Sequence, residues 1–344
     1  MTSAGHDLVE WRLPDEERRV GRRVGTRTAI RSIQDLCDVE ILGDRNAAPE
    51  LLVEVPHGAT RKRDFDAVRE RLAGTLPDDL LSFFFVNTDV GAPECATELV
   101  RLVVEPDALV LDLVGSAGAS TWLRSALVLR CLIPRTFADT NRVLDAPADM
   151  SAGITPCIPD YVQDPADRSA LAALHTAYQD VARRAHLAVC GEKHGRAVLL
   201  HTYAPRTVRI DTIDSGIVEA LRRAYAPGVY ETWEPRPEVD VIAAATDGTD
   251  LAPRDVVDAL RRTFGRAGVE VTENASYRLH PSTTGYGHAT RHPGRVLCVE
   301  IRRDLLARPF TPFEEMRVEP AFARRMAAPL AAALLATDAR TGSR

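Results

Sequence analysis

Short apolar runs alternate along the chain with segments in which apolar and charged residues recur at helical spacing. The runs suit buried strands; they lie at 51–55, 81–86, 108–113, 126–130, 195–200, 239–245, 269–271 and 296–301. The helical segments lie at 66–73, 166–188, 214–225, 253–267 and 319–336, and Pro93 begins a further helix. This alternation, which has no repeat period, predicts an α/β fold of three layers, with helices on both sides of a mixed, mostly parallel sheet.

The chain of 344 residues contains no segment with the composition of a linker. We predict a single α/β domain over residues 49–336, preceded by an N-terminal extension over 1–48 and followed by a short tail over 337–344. The extension is charged and irregular, and its arginine run at 18–23 has acidic neighbours. Such a run is typical of a solvated face, so no chemistry is assigned to it.

The bulk composition excludes several classes of protein. The formal net charge is -6, which argues against a nucleic-acid partner. No apolar run approaches the ~18 residues of a membrane span, and the first residues lack the order of a signal peptide. The six cysteines form no Cys-x-x-Cys pair, as expected of reduced thiols in a cytoplasmic protein. The sequence leaves open whether the protein forms a homo-oligomer.

Candidate chemistry lies at the ends of the apolar runs. His57 and His201 each follow one, Asp89 follows the run at 81–86, and Glu300 lies inside the run at 296–301. The carboxyl ends of parallel strands meet at one edge of a sheet, where two histidines and a carboxylate supply the three ligands of a catalytic zinc. A buried glutamate beside them suits a general base. The alternative for each histidine is a turn residue that is hydrogen-bonded to backbone.

Several motifs occur in a fixed order between about residues 50 and 310. In order they are Val55-Pro56-His57-Gly58, Thr88-Asp89-Val90-Gly91, Arg-x-x-x-Asp-x-Asn-Arg at 135–142, Leu199-Leu200-His201-Thr202, Arg291-His292 after a glycine-rich turn, and Val299-Glu300-Ile301-Arg302. In this order and spacing the chain resembles the N-formylglutamate amidohydrolase family. The 135–142 segment and the Glu-Ile-Arg strand are the more specific pieces.

The resemblance implies the fold of the zinc-dependent exopeptidases, which is phosphorylase/hydrolase-like. It implies a hydrolase that cleaves the linear amide bond of an N-formyl or N-acyl amino acid, such as N-formylglutamate, with metal-activated water. His57, Asp89 and His201 would hold one divalent metal, Zn²⁺, and Glu300 would be the general base. The expected partner is therefore a small N-acyl amino acid or a related amide.

The resemblance also implies residues that bind the substrate. Arg142, with a catalytic role, and Arg135 would hold the substrate carboxylate in the bidentate way that a guanidinium allows. Asp139 and Asn141 would orient an arginine or the substrate amide. Arg291 would bind an anion or polarise the scissile carbonyl.

The chain departs from the family pattern at several positions. Leu199 stands where the family has an aspartate two residues before the second histidine, Ala59 stands where glycine is common, and Glu94 competes with Asp89 for the third ligand position. These departures leave two alternatives open. The same fold could act on a peptide or on an amide of a specialised pathway, or the protein could be a non-catalytic binding derivative.

The remaining histidines are expected to have other roles. His280, His288 and His292 lie in a Gly/Pro-rich segment, which predicts a loop, so pocket lining or surface positions are favoured over metal binding. His175 and His186 fall in the long helix predicted at 166–188, where packing or surface positions are expected.

Overall fold

The computed structural model describes residues 9–11, 28–30, 32–115, 122–210 and 212–337. Strands β1 (Val9–Trp11) and β2 (Thr28–Ile30) form a separate antiparallel pair. The other described strands form a seven-stranded sheet. They are β3 (Cys37–Gly43), β4 (Leu51–Val55), β5 (Ser125–Cys131), β6 (Arg196–Tyr203), β7 (Val239–Ile242), β8 (Val271–Glu273) and β9 (Val296–Arg302).

The strand order of the sheet is β3-β5-β4-β6-β9-β7-β8. The four strands β5, β4, β6 and β9 are adjacent and parallel, whereas β3 runs antiparallel to β5 and β7 antiparallel to β9. The predicted mixed, mostly parallel sheet is therefore confirmed. Every residue of β4 is buried, as expected of a central strand covered on both faces.

Helices cover both faces of this sheet. They are α1 (Lys62–Arg69), α2 (Leu80–Asn87), α3 (Ala92–Val104), α4 (Ala108–Val114), α5 (Pro165–Cys190), α6 (Ile217–Ala224), α7 (Arg254–Arg266), α8 (Thr284–Arg291) and α9 (Pro320–Ala336). One hydrophobic core joins α3, α4, α7 and α9 to one face, and a second core joins α1, α2, α5, α6 and α8 to the other. The three predicted layers are thus confirmed.

Two predicted strands are helices instead. The apolar run at 81–86 belongs to α2, which buries Phe83, Phe84 and Phe85 and so shows no amphipathic period. A short apolar run of this kind fits a buried strand and a buried helix equally well. The run at 108–113 belongs to α4, where the Asp107 side chain caps the helix by accepting a hydrogen bond from the Val110 amide.

Four strands and helices were missed. The strands β1, β2 and β3 lie inside the segment 1–48, and β3 forms an edge of the main sheet beside β5. Helix α8 lies in the segment predicted as a loop, and the Thr283 side chain caps it by accepting a hydrogen bond from the Tyr286 amide. The other predicted elements are present with shifted ends. The domain boundaries at 1–48, 49–336 and 337–344 remain a prediction.

None of the helices within the described ranges is long and apolar enough to cross a membrane. The segment at 116–121, which is rich in small residues, and most of residues 1–31, including the arginine run, lie outside the described residues.

Candidate active site

The candidate site lies at the carboxyl edge of the parallel strands β4, β6 and β9. His57 follows β4 by two residues, His201 lies near the end of β6, and Glu300 lies near the end of β9. His201 and Glu300 are direct partners in the β6–β9 pairing. Parallel neighbours thus bring to one edge three residues that are far apart in the sequence.

The turn that carries His57 is held by close packing of the backbone. Thr140 Oγ1 donates a hydrogen bond to the Pro56 carbonyl at 2.6 Å. A Cβ atom on Gly58 would lie 2.5 Å from Arg130 Cγ and 2.9 Å from the Cys131 carbonyl oxygen. Only glycine fits there without displacing the neighbouring strand, which explains the His-Gly sequence.

Asp89 lies between α2 and α3 and faces both histidines. Its Oδ2 atom is 3.3 Å from His57 Nδ1 and 3.0 Å from His201 Nδ1, and it also accepts a hydrogen bond from the Thr202 amide at 3.2 Å. Burial disfavours the Asp89 carboxylate, but the two histidines more than offset this and hold its pKa well below the usual range. Asp89 therefore stays ionised between two imidazoles.

The donor set fits a divalent metal ion. His57, Asp89 and His201 are all buried, and each offers one ligand atom within 4.8 Å of the others. Ligand atoms of a tetrahedral zinc lie roughly 3.3 Å apart, close to the two distances from Asp89 Oδ2. His57 Nε2 lies 2.8 Å from Asp139 Oδ1, the carboxylate–histidine arrangement that orients metal ligands in proteins.

Asp139 organises the segment at 135–142. Its Oδ2 atom accepts a hydrogen bond from Arg135 Nε at 2.9 Å and lies 3.8 Å from Arg142 Nη2, while Oδ1 accepts from the Asn141 amide at 2.9 Å. Burial disfavours the carboxylate, but the charges of Arg135 and Arg142 hold its pKa well below the usual value. Asp139 therefore links the guanidinium groups to the histidine beside them.

Asn141 connects the same segment to α8. Its Oδ1 atom accepts hydrogen bonds from the Gly285 amide and from Thr284 Oγ1, each at 3.1 Å. Arg142 is almost wholly buried and donates to the Asn141 carbonyl at 3.1 Å. Within the described ranges its Nε atom has no hydrogen-bond partner. That donor is available to a bound anion.

A cavity of about 290 Å³ joins these residues. The two histidines, Asp89, Glu300 and residues of the segment at 135–142 line it, together with four further arginines. The lining also includes apolar side chains, among them Phe83, Val208, Ile210, Ile213, Ile217 and Leu221. The cavity therefore combines charged and apolar side chains.

Glu300 is the acidic group of this cavity that lacks a full set of partners. Its Oε2 atom is buried and has no hydrogen-bond partner among the residues that the structure describes. Burial raises the pKa of Glu300 to about 7, although the neighbouring His201 opposes the shift. A buried carboxyl oxygen without a partner is costly unless a proton, water or ligand meets it.

The structure places two of the expected residues away from this centre. Glu94, the competitor for the third ligand position, is half-exposed and accepts a hydrogen bond from Arg61 Nη2 at 2.5 Å. Asp89 is therefore the carboxylate that faces the histidines. Arg291 lies at the exposed end of α8 and is not among the residues that line the cavity. It is left out of the proposal below for that reason.

Four arginines that line the cavity were missed, namely Arg206, Arg236, Arg278 and Arg303. Arg303 follows β9, is buried, and places Nη2 3.7 Å from Asp89 Oδ1. Arg236 donates to the Tyr277 hydroxyl at 2.8 Å and lies over the Tyr203 ring. The signal for Arg303 was a charged residue directly after a buried strand, whereas the Pro-rich segment around Arg236 gave none.

Leu199, the main departure from the family pattern, is fully buried and lines the cavity on the sheet face that also carries His201. A Cβ atom on Gly285 would lie 3.2 Å from its Cδ2 atom, so α8 packs tightly against it. Leu199 therefore places an apolar side chain where the sequence comparison expected an aspartate. The carboxylates that contact the histidines of the site are those of Asp89 and Asp139.

Fold and site together define an α/β protein with a buried His-His-Asp group at the carboxyl edge of its sheet. No family model matches the chain, and no curated protein is significantly similar to it. The crystal structure of N-formylglutamate amidohydrolase from Ralstonia eutropha JMP134 is similar at 18% identity and a TM-score of 0.43, over 88% of this chain and 98% of that one. That of gene product Atu2144 from Agrobacterium tumefaciens is similar at 16% identity and a TM-score of 0.44, over 87% and 93%.

Proposed function

We propose that this protein is a metal-dependent hydrolase that cleaves the linear amide bond of an N-acyl amino acid, such as N-formylglutamate or a related amide. One observation carries the proposal: the cavity of about 290 Å³ is lined by a His-His-Asp group, by buried arginines and by a glutamate whose Oε2 atom has no hydrogen-bond partner among the described residues. A metal-dependent hydrolase uses the first and last of these groups for the reaction, and the arginines suit a substrate carboxylate.

His57, Asp89 and His201 would hold the metal, and Zn²⁺ suits two imidazoles and one carboxylate. When bound, such a metal acts as a Lewis acid that polarises a carbonyl and lowers the pKa of water. Asp139 would keep the His57 ring in the orientation that presents Nδ1 to the metal, because it receives the proton on Nε2.

Glu300 would be the general base. Its carboxylate would take a proton from the attacking water while the water oxygen bonds to the amide carbon. It would then give that proton to the amine nitrogen as the carbon–nitrogen bond breaks, so that a carboxylic acid and a free amine leave. Its unpartnered Oε2 atom, buried in the cavity wall, is suited to receive the proton.

Arg142 and Arg135 would bind the carboxylate of the substrate. Arg142 carries a buried Nε without a partner in the described part of the chain, and Arg135 lines the same cavity. Asp139 fixes both guanidinium groups, and Asn141 fixes the segment against α8. The arginines therefore hold their positions before substrate binds, which lowers the entropy cost of binding.

The apolar side chains of the cavity favour a second candidate substrate. Ile210, Ile213, Ile217 and Leu221 line the same cavity as the arginines and suit an apolar group. An N-acyl amino acid with an apolar side chain, or a short peptide with a free carboxylate, would contact both kinds of side chain. This candidate keeps the same chemistry and changes only the substrate.

The test is an assay of amine release by zinc-loaded protein. The panel contains N-formyl-Glu, N-formyl and N-acetyl derivatives of Leu and Phe, and dipeptides that end in these residues. We expect turnover of at least one N-acyl amino acid, and the preferred side chain distinguishes the two candidates. Zinc binding with no turnover across the panel would instead favour the non-catalytic binding derivative and overturn the hydrolase.

A further inference from the structure

A second group of buried ligand-type side chains lies on the same sheet, apart from the candidate active site. Glu54 lies within β4, three residues before His57, and its side chain meets α5 and α8. His186 of α5 and His288 of α8 complete the group, and at most 4% of each of the three residues is exposed. None of the three lines the active-site cavity.

The group is only partly satisfied by hydrogen bonds. Glu54 accepts from the Tyr178 hydroxyl at 2.9 Å and pairs with His186 Nε2 at 2.6 Å. His186 Nδ1 and both ring nitrogens of His288 are buried without a hydrogen-bond partner within the described ranges. Nearly all buried polar groups in native proteins have a partner, so three such nitrogens in one cluster indicate a missing ligand.

We propose that Glu54, His186 and His288 form a second metal site, which holds a structural Zn²⁺. One ligand atom from each residue lies within 4.8 Å of the other two. Two imidazoles and one carboxylate match the preference of zinc over Mg²⁺ and Ca²⁺, which take oxygen ligands. The three residues leave one tetrahedral position to a water molecule, and burial away from the cavity favours a structural role over a catalytic one.

Binding requires one ring to move. The His186 and His288 rings are stacked, with centroids 3.8 Å apart and an interplanar angle of 10°. Because the lone pair of an imidazole nitrogen lies in the ring plane, two stacked rings do not point at one ion. His288 is the ring that turns, since neither of its nitrogens has a hydrogen bond to lose in the described structure.

The ion would join elements that position the active site. Helix α8, which carries His288, begins at Thr284 and holds Asn141 through Thr284 and Gly285. β4, which carries Glu54, leads directly into His57. A metal across Glu54, His186 and His288 would therefore fix both the first histidine of the active site and the segment at 135–142.

The experiment measures zinc per chain in full-length protein in which the first site has been removed by His57→Ala and His201→Ala. After equilibration with ZnCl₂ and desalting, elemental analysis should find one zinc per chain in this double variant. Adding His288→Gln should remove it. His292→Gln, which changes a buried histidine outside the proposed ligand set, is the matched control and should leave one zinc in place.

Glu54→Gln in the double variant is a second test, because it keeps the shape of the side chain, removes its charge and replaces one of its two acceptor oxygens with an NH2 group. Circular dichroism checks that each variant is folded, and Co²⁺ substitution reports the ligand geometry by its visible absorption. The proposal is overturned if the folded double variant holds no zinc, or if it keeps zinc after both His288→Gln and Glu54→Gln. If the candidate active site does not bind zinc, the wild-type protein will hold only the one zinc of the second site, so the two proposals fail in distinguishable ways.

Discussion

His201 and Glu300 are direct neighbours in the pairing of the parallel strands β6 and β9. Their side chains lie on the same face of the sheet, the face that also carries Leu199 and Cys298. This register places a candidate metal ligand beside the candidate general base. A shift of either strand by one residue would turn the side chains to opposite faces, so the site depends on the register of the whole sheet.

Removal of the metal tests the role of the His-His-Asp group. Treatment with a chelator should abolish amide hydrolysis, because the metal ion is the Lewis acid that would activate the water and polarise the carbonyl. Addition of ZnCl₂ should restore the activity. His201→Ala should lower the zinc content by one per chain and should not be rescued. His194→Ala, at an exposed histidine, is the control and should change neither zinc content nor rate.

Asp139→Asn tests the carboxylate behind His57. The Asp139 Oδ1 atom lies 2.8 Å from His57 Nε2, and loss of its charge should weaken zinc binding by about 10–100-fold. Competition with a chromophoric chelator measures the zinc affinity of the His57, Asp89 and His201 site. The measurement is made in a Glu54→Gln background so that the second proposed site does not contribute. An unchanged affinity would show that Asp139 serves only the arginines.

Arg142→Gln tests the carboxylate-binding role of the guanidinium group. A charge-assisted hydrogen bond contributes about 1.5–3 kcal/mol, so KM should rise about tenfold to a hundredfold with a smaller change in kcat. Arg262→Gln, at an exposed arginine of α7, is the matched control and should leave KM unchanged. An equal loss of kcat and kcat/KM with KM constant would contradict a role in ground-state binding.

Gly58→Ala tests the packing that fixes the His57 turn. The added methyl group would meet Arg130 Cγ at 2.5 Å and the Cys131 carbonyl at 2.9 Å, and overpacking of this kind costs about 1–3 kcal/mol. Gly265→Ala is the matched control, because its Cβ would meet nothing within 4 Å in α7 and should stabilise the helix by about 0.5–1 kcal/mol. Unfolding in urea measures the free energy of unfolding of both variants. Equal changes in Gly58→Ala and Gly265→Ala would contradict the tight packing at Gly58.

The sequence predicts that His57, His201 and Glu300 lie at one edge of the sheet, because the residues that end parallel strands meet there. Asp89 was expected at the end of a strand. It instead follows the helix α2, which buries its aromatic residues too completely to show a helical period. Its approach to the histidines depends on the packing of α2 and α3 against the sheet, which no local pattern encodes.

The parts that the sequence does not predict depend on contacts between distant segments. Helix α8 contains Gly285 and Gly287, which are poor helix formers, and is stabilised by its Thr283 cap and by packing against Leu199. Glu54, His186 and His288 come from a strand and two helices, so their meeting follows only from the complete fold. Arg236 likewise reaches the cavity through tertiary contacts alone.

The most direct test of the hydrolase compares zinc-loaded wild type with Glu300→Gln on the best substrate of the panel, at equal zinc content. The account predicts that kcat falls by about a hundredfold to ten-thousandfold, the usual contribution of a general base, while zinc stays bound. Glu270→Gln, at an exposed glutamate, should match wild type. Equal rates in wild type and Glu300→Gln would contradict the account.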